Sequence, residues 1–191
     1  MAQGDGRTGV GAGLAALVAR AERAGRSAPP VEKWHPDHCG DIDIVIRSDG
    51  SWVHEGSPIG RPEMVRLFSS VLRKDEDGET YLVTPVEMMR IRVEDAPFLA
   101  VEMDRGERDG DALLTFRTNV GDVVEAGPDH PIRVSSATEG FVPYLLVRGR
   151  LEARLTRALA LELADLIEET PEGLVLRSGG ARFSVEDAAH G

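Results

Sequence analysis

Asp41-Ile42-Asp43-Ile44-Val45-Ile46-Arg47-Ser48-Asp49-Gly50-Ser51-Trp52-Val53-His54 reads as a β-hairpin. Ile42, Ile44 and Ile46 alternate with Asp41, Asp43 and Val45, the period-2 pattern of a strand with one face buried. Asp49-Gly50 supplies the turn, because glycine tolerates the left-handed backbone that tight hairpins need. Trp52-Val53-His54 returns as the second strand.

Downstream, Gly56-Ser57-Pro58-Ile59-Gly60 makes a tight connection into a helix. Pro62 suits the first helical turn, where its missing N–H costs nothing. Met64, Val65, Phe68, Val71 and Leu72 form one apolar stripe at helical spacing, and Arg73 and Lys74 carry the right charge to close the helix. Asp75 to Glu79 is a turn and Tyr81-Leu82-Val83 a third strand. After Pro85 the pattern is strands over Val86–Val93, Phe98–Met103, Ala112–Arg117, Asp122–Glu125, Ile132–Ser135 and Phe141–Val147. A long helix is expected over Leu151–Glu168, with Leu155, Leu159, Leu163, Leu166 and Ile167 on one face. A last hairpin turns at Ser178-Gly179-Gly180. Upstream, the glycine-rich residues 1–13 read as a disordered tail, Leu14–Arg23 as a short Ala-rich helix, and Trp34–Cys39 as irregular around Pro36.

An internal echo runs through this order. A strand, Gly56, a helix and the strand at Tyr81 recur as a strand, Gly149, a helix and the strand at Leu174, with 25 residues from glycine to strand start each time. The expected fold class is therefore α+β, with a duplicated strand–strand–helix–strand core. Residues 1–30 form a tail and short helix, 31–84 an N-terminal half and 85–191 a C-terminal half. The strand run ending in a helix also has the order of a pleckstrin-homology domain.

Composition bounds the partners. The 191 residues carry 33 acids against 22 bases, a net charge of −11. A polyanion needs a basic face, so polymeric nucleic acid and anionic membrane surfaces are unfavourable partners. One cysteine excludes an internal disulfide. No run of 18 apolar residues exists to span a bilayer, and the N-terminus lacks the parts of a signal peptide. The expectation is a soluble, cytoplasmic protein.

Gly4-Asp5-Gly6-Arg7-Thr8-Gly9 spells the dinucleotide fingerprint without the preceding strand that the motif requires. His35, His38, Cys39, Asp41 and Asp43 include proper metal donors without a metal-site spacing, so no metal is expected. Ser57 near His54 is the nearest approach to a hydrolase pair, with no nucleophile elbow around it. Arg148, Arg150, Arg154 and Arg157 place four cations within ten residues, whereas residues 75–125 hold 14 acids and five bases. On the expected helix, Arg150, Arg154 and Arg157 share one face near an N-terminus, where cations are disfavoured. Either a phosphate or internal carboxylates would offset them. Trp52, Thr84, Glu87, Thr118, Asn119 and His130 fall at strand ends and turns, positions that can line a cleft.

The string Cys39-Gly40, Asp49-Gly50-Ser51-Trp52, Gly56-Ser57-Pro58-Ile59, Leu67-Phe68, Thr84-Pro85-Val86-Glu87, Val93 to Phe98, Thr118-Asn119 and Asp129-His130-Pro131 resembles the bacterial family of unknown function DUF1285. The resemblance covers Trp34 to Arg154. It implies a duplicated core of two halves, the second superficially like a pleckstrin-homology domain. It also implies a nucleotide-like ligand between the halves and a role in signalling or stress response, with no established activity and no cofactor.

The expectation is thus a non-catalytic ligand-binding protein. Its candidate site residues are Trp52, Ser57, Thr84, Glu87, Phe98, Thr118, Asn119, His130, Arg148 and Arg150. Trp52 or Phe98 would stack a flat ring, and Arg148 or Arg150 would hold phosphate. The alternatives are a protein-interaction or self-association module, and an enzyme of unknown class.

Overall fold

The computed structural model describes residues 29–135 and 140–185. The expected tail and the Leu14–Arg23 helix lie outside the described residues.

The first hairpin forms as the alternation requires. Strand β1 (His38–Ile46) runs antiparallel to β2 (Trp52–His54), pairing Ile44 with His54 and Ile46 with Trp52. Asp49 Oδ1 accepts the Ser51 N–H at 2.8 Å, and Gly50 adopts φ +81°. β3 (Ser57–Pro58) adds an edge, and α1 (Pro62–Ser70) follows with its proline in the first turn. The chain returns through β4 (Leu72–Lys74), β5 (Thr80–Val83) and β6 (Glu87–Val93). The sheet order is β3-β2-β1-β6-β5-β4, with β1 and β6 parallel at its centre.

The second half repeats this path. β7 (Phe98–Arg108), β8 (Asp111–Thr118) and β9 (Val123–Glu125) form one meander; β10 (Ile132–Ser135), β11 (Val142–Arg148) and β12 (Leu151–Leu155) form the next. Their sheet reads β10-β11-β12-β7-β8-β9, and β12 and β7 are its parallel pair. Replacing each strand of the first sheet by the one six places later reproduces the second sheet, so the duplication is real. α2 (Arg157–Ala164) follows, then a small sheet of β13 (Glu168–Thr170), β14 (Gly173–Ser178) and β15 (Ala181–Ser184). The molecule is α+β with strands predominating.

The repeating unit differs from the expected one. It is a pair of three-stranded meanders, not a strand–strand–helix–strand unit centred on Gly56 and Gly149. α1 sits between the meanders of the first unit, whereas α2 comes after the second unit. The expected helix over Leu151–Glu168 is also corrected. Leu151, Ala153 and Leu155 are buried while Glu152 and Arg154 are less so, which is strand periodicity. Thr156 then caps α2, its side chain accepting the Leu159 N–H. Arg150, Arg154 and Arg157 therefore occupy a turn, a strand and a helix start, not one helical face.

Three further boundaries move. β1 starts at His38, inside the segment expected to be irregular, because His38 to Asp41 pair with Glu87 to Arg90 of β6. α1 stops at Ser70, so Arg73 and Lys74 lie on β4 instead of closing the helix. Arg73 is buried and donates to the carbonyls of Val31 and Trp34 at 3.0 and 2.7 Å, tying the Val31–Lys33 turn to the sheet. β6 belongs to the first sheet, so the chain crosses between halves at residues 94–97, not at Thr84-Pro85.

One apolar core joins both halves. It holds Ile44, Trp52, Phe68 and Leu82 from the first and Phe98, Phe116, Leu145 and Leu163 from the second. Among the described residues no helix is long and apolar enough to cross a membrane.

Candidate functional site

The halves meet where the β1–β2 turn of the first wedges against β7 and the β8–β9 turn of the second. A Cβ built on Gly50 would lie 2.9 Å from both Asn119 Nδ2 and Leu99 Cδ1, so only glycine fits there without displacement. Asn119 locks the receiving surface. Its Oδ1 accepts the Leu99 N–H at 3.0 Å, and its own N–H donates to the Leu99 carbonyl at 2.8 Å. Thr118, fully buried beside it, accepts the Asp122 N–H on its hydroxyl at 3.0 Å.

This wedge leaves a concavity on each flank. The smaller, about 270 Å³, is lined by Gly50, Trp52, Ile59, Arg66, Asn119 and Val120. It joins residues of both halves, and two of the expected site residues, Trp52 and Asn119, meet in it. The larger, about 800 Å³, lies beyond Ser48 and Asp49, against Leu99, Pro143, Arg157 and Leu161.

Trp52 is 2% exposed and its ring stacks on Phe68 with centroids 6.1 Å apart. Its indole N–H is the one buried side-chain polar atom with no hydrogen-bond partner among the described residues. A buried donor without an acceptor costs about 1–3 kcal/mol, so native chains rarely keep one idle. Phe98 is fully buried, with the Arg148 guanidinium 5.0 Å from its centroid. Neither ring is open on a face for stacking, because each completes the core.

The arginines are mostly engaged internally. Arg148 donates to Asp122 Oδ2 at 3.1 Å and to the Ser69 carbonyl, so it stitches β11 to the end of α1. Arg150 reaches Glu76 at 2.8 Å, again across the halves. Arg154 meets Asp95 at 2.9 Å, and the Tyr144 hydroxyl donates to the other oxygen of that carboxylate at 2.7 Å. Burial and Asp95 push the Tyr144 phenol up to about 12. Arg66 instead faces the smaller concavity, exposed and 3.7 Å from Glu63.

The remaining expected residues lie elsewhere. Thr84 is buried in the β5–β6 turn, its hydroxyl accepting the Glu87 N–H at 3.2 Å, and Glu87 is buried beside it. Ser57 is exposed on β3, in register with His54. His130 lies 3.1 Å from the Leu146 carbonyl and lines a separate hollow of about 490 Å³ with Arg108 and Gly179. No three His, Cys, Asp or Glu side chains among the described residues group as metal donors. Sequence reasoning missed Arg66 and Val120. Arg66 sits on the polar side of the recognised stripe, a position with no signal of its own.

Two family models match in tandem. The model for the N-terminal domain of the domain of unknown function DUF1285 covers residues 29–96, and the model for the C-terminal domain of this protein of unknown function covers residues 97–185. Their junction falls in the crossover between the sheets. A solved DUF1285 family protein from Silicibacter pomeroyi is 44% identical with a TM-score of 0.81, the match covering 90% of this chain and 94% of that one. Another from Shewanella baltica is 27% identical with a TM-score of 0.52, covering 64% of this chain and 90% of that one. No curated protein matches.

Proposed function

We propose, from the premise that this chain belongs to the DUF1285 family, that it is a non-catalytic binding protein for a small, nucleotide-like ligand at the seam of its halves. The observation that carries this reading is the concavity behind Gly50, where turns of both halves converge and Trp52, Arg66 and Asn119 share one wall. Its walls are chiefly apolar, with a few polar groups that fix orientation, the usual make-up of a small-molecule site. Arg66 supplies a cation for an anionic substituent, the role first expected of Arg148 or Arg150. A ligand seated there touches both halves, so occupancy would alter how they meet. That is the physical basis for a signalling or stress-response role in the cytoplasm. The second half, proposed as a pleckstrin-like binding module, has six strands, β7–β12, ahead of α2, because the seventh expected strand, β6, belongs to the first sheet.

The test is a thermal-shift screen with mononucleotides and nucleosides, since a ligand of the folded state raises the melting temperature by mass action. Calorimetry on Trp52→Phe and Arg66→Ala follows. Reshaping the wall at Trp52 should weaken binding about threefold to tenfold, and loss of the guanidinium about tenfold to a hundredfold. Unchanged affinity in both folded variants excludes this placement.

A second reading rests on the other flank. Leu161 is 63% exposed beside the 800 Å³ groove, whose walls include Leu99, Pro143 and Ala160. An apolar peptide segment laid along α2 would cover it. Binding of such a peptide that Leu161→Asp abolishes, with no nucleotide response at the seam, would favour this reading.

A further inference from the structure

An open sheet ends in edge strands, whose outward N–H and C=O groups have no partner within the sheet. Most edges of this chain are blunted. The Val31–Lys33 turn packs on β4, and β10 and β15 pack on one another. β3 is two residues long and ends in a proline, and β13 presents Glu168 and Glu169 to solvent. β9 has none of these devices. Val123 at its start is 66% exposed, and all three of its residues line the hollow of about 490 Å³, so space lies beside this edge.

The pairing with β8 identifies the free groups. The Thr118 N–H donates to the Asp122 carbonyl at 2.8 Å, and the Ala126 N–H to the Leu114 carbonyl at 2.9 Å. Bonded pairs alternate along an antiparallel ladder, so between these two it is Val124 that exchanges bonds with Phe116. Val123 and Glu125 therefore aim their main-chain groups away from β8, and nothing among the described residues takes them up. Two donors and two acceptors stand in one row, with an exposed valine beside them.

A second β9 related by a two-fold axis is complementary to that row. With Val124 opposite the other copy's Val124, Val123 falls opposite Glu125 twice, and each such pair exchanges two hydrogen bonds. On the outer face the cross-strand row then reads Glu102, Arg117, Val123 and the other copy's Glu125, because Glu102 pairs with Arg117 and Arg117 with Val123. The carboxylate of one copy thus faces the arginine of the other across a valine. The register offsets the two Glu125 side chains instead of opposing them. Hydrogen bonds and charge are both matched.

We infer that two copies of this chain join edge to edge through β9, continuing the second sheet of one into that of the other. The strand is short and each copy carries a net charge of −11, so the dimer is weak and reversible. The inference is independent of any ligand at the seam.

Sedimentation velocity on the full chain across the micromolar to millimolar range tests it, with hydrogen exchange at both ends of that range. A monomer–dimer equilibrium is expected, with slower exchange of the Val123 and Glu125 amides at the high end. Val123→Pro removes one outward donor per copy and breaks no bond to β8. It should weaken the dimer about tenfold or more. Val123→Glu sets carboxylates opposite Glu125 and should weaken it about threefold to tenfold, whereas Val123→Lys should hold or tighten it. Circular dichroism confirms that the variants fold. A chain that stays monomeric throughout the range overturns the inference. So does a dimer that leaves those amides unprotected or that Val123→Pro does not weaken, and so does equal weakening by Val123→Glu and Val123→Lys.

Discussion

Gly50 and Gly78 make a matched pair for testing the wedge. Both have positive φ, +81° and +85°, but a Cβ at Gly78 meets nothing within 4 Å whereas one at Gly50 meets Asn119 and Leu99. Gly78→Ala should cost only the left-handed backbone, about 1–2 kcal/mol. Gly50→Ala should add overpacking at the seam, for a total of about 2–4 kcal/mol. Urea denaturation of both variants measures the difference, and equal losses would mean that the turn is not wedged. Trp52 gives a second contrast. Trp52→Ala should cost about 3–5 kcal/mol as a core truncation. Trp52→Phe should cost much less than that, because it removes the idle donor along with part of the ring. The two tyrosines give a third. A hydrogen bond to Asp77 pushes Tyr81 up to about 12, and burial with a bond to Asp95 does the same for Tyr144. The folded chain therefore keeps phenol protons that the unfolded chain releases near the ordinary value of 10. That stabilisation is complete below pH 10 and fades as the pH climbs toward about 12. Absorbance titration at 295 nm should show little tyrosinate in the folded protein until well above pH 10.

Thr156 separates a strand from a helix, and its side chain decides where one ends. β12 is held by its pairing with β7 and β11, and α2 begins only where the Thr156 hydroxyl can accept the Leu159 N–H. Thr156→Ala should cost about 1 kcal/mol, read as a lowered denaturation midpoint with the slope unchanged. An unaffected midpoint would remove the cap from the account. The β7–β8 hairpin shows a related effect. Its outer residues are exposed, and β14 packs against β8 on its way back to the body of the sheet. The Ser178 hydroxyl accepts the Leu114 N–H at 2.8 Å and donates to the Ala126 carbonyl at 2.8 Å.

The two halves share one core and are bolted across their seam by Arg148 to Ser69, Arg150 to Glu76 and Gly50 against Asn119. Neither half can expose its inner residues while the other stays folded, so unfolding should be a single cooperative transition. Calorimetric and van't Hoff enthalpies should agree in scanning calorimetry. Two resolved transitions would show that the halves fold separately, and the shared core would not then be the source of stability. Arg148→Ala should lower that single transition more than Arg150→Ala. Arg148 is half-buried over Phe98, whereas the Arg150–Glu76 pair is exposed and screened.

The alternation at Ile42, Ile44 and Ile46, the Asp49-Gly50 turn and the stripe around Phe68 were legible because each depends on neighbours within a few residues. The existence of a duplication was legible too, but not its unit. A 25-residue spacing records distance along the chain and does not say which strands pair. Leu155, Leu159 and Leu163 fit a helical stripe from sequence alone. Only parallel pairing with β7, over fifty residues away, claims Leu151–Leu155 for a sheet. The arginine cluster likewise looked like a ligand site because its carboxylates, Glu76, Asp95 and Asp122, stand 26 to 74 residues away in sequence. Local sequence determines turns, caps and faces through short-range sterics and burial. Which face meets which, and so where a cleft opens behind Gly50, is decided by long-range pairing that only the assembled sheets provide.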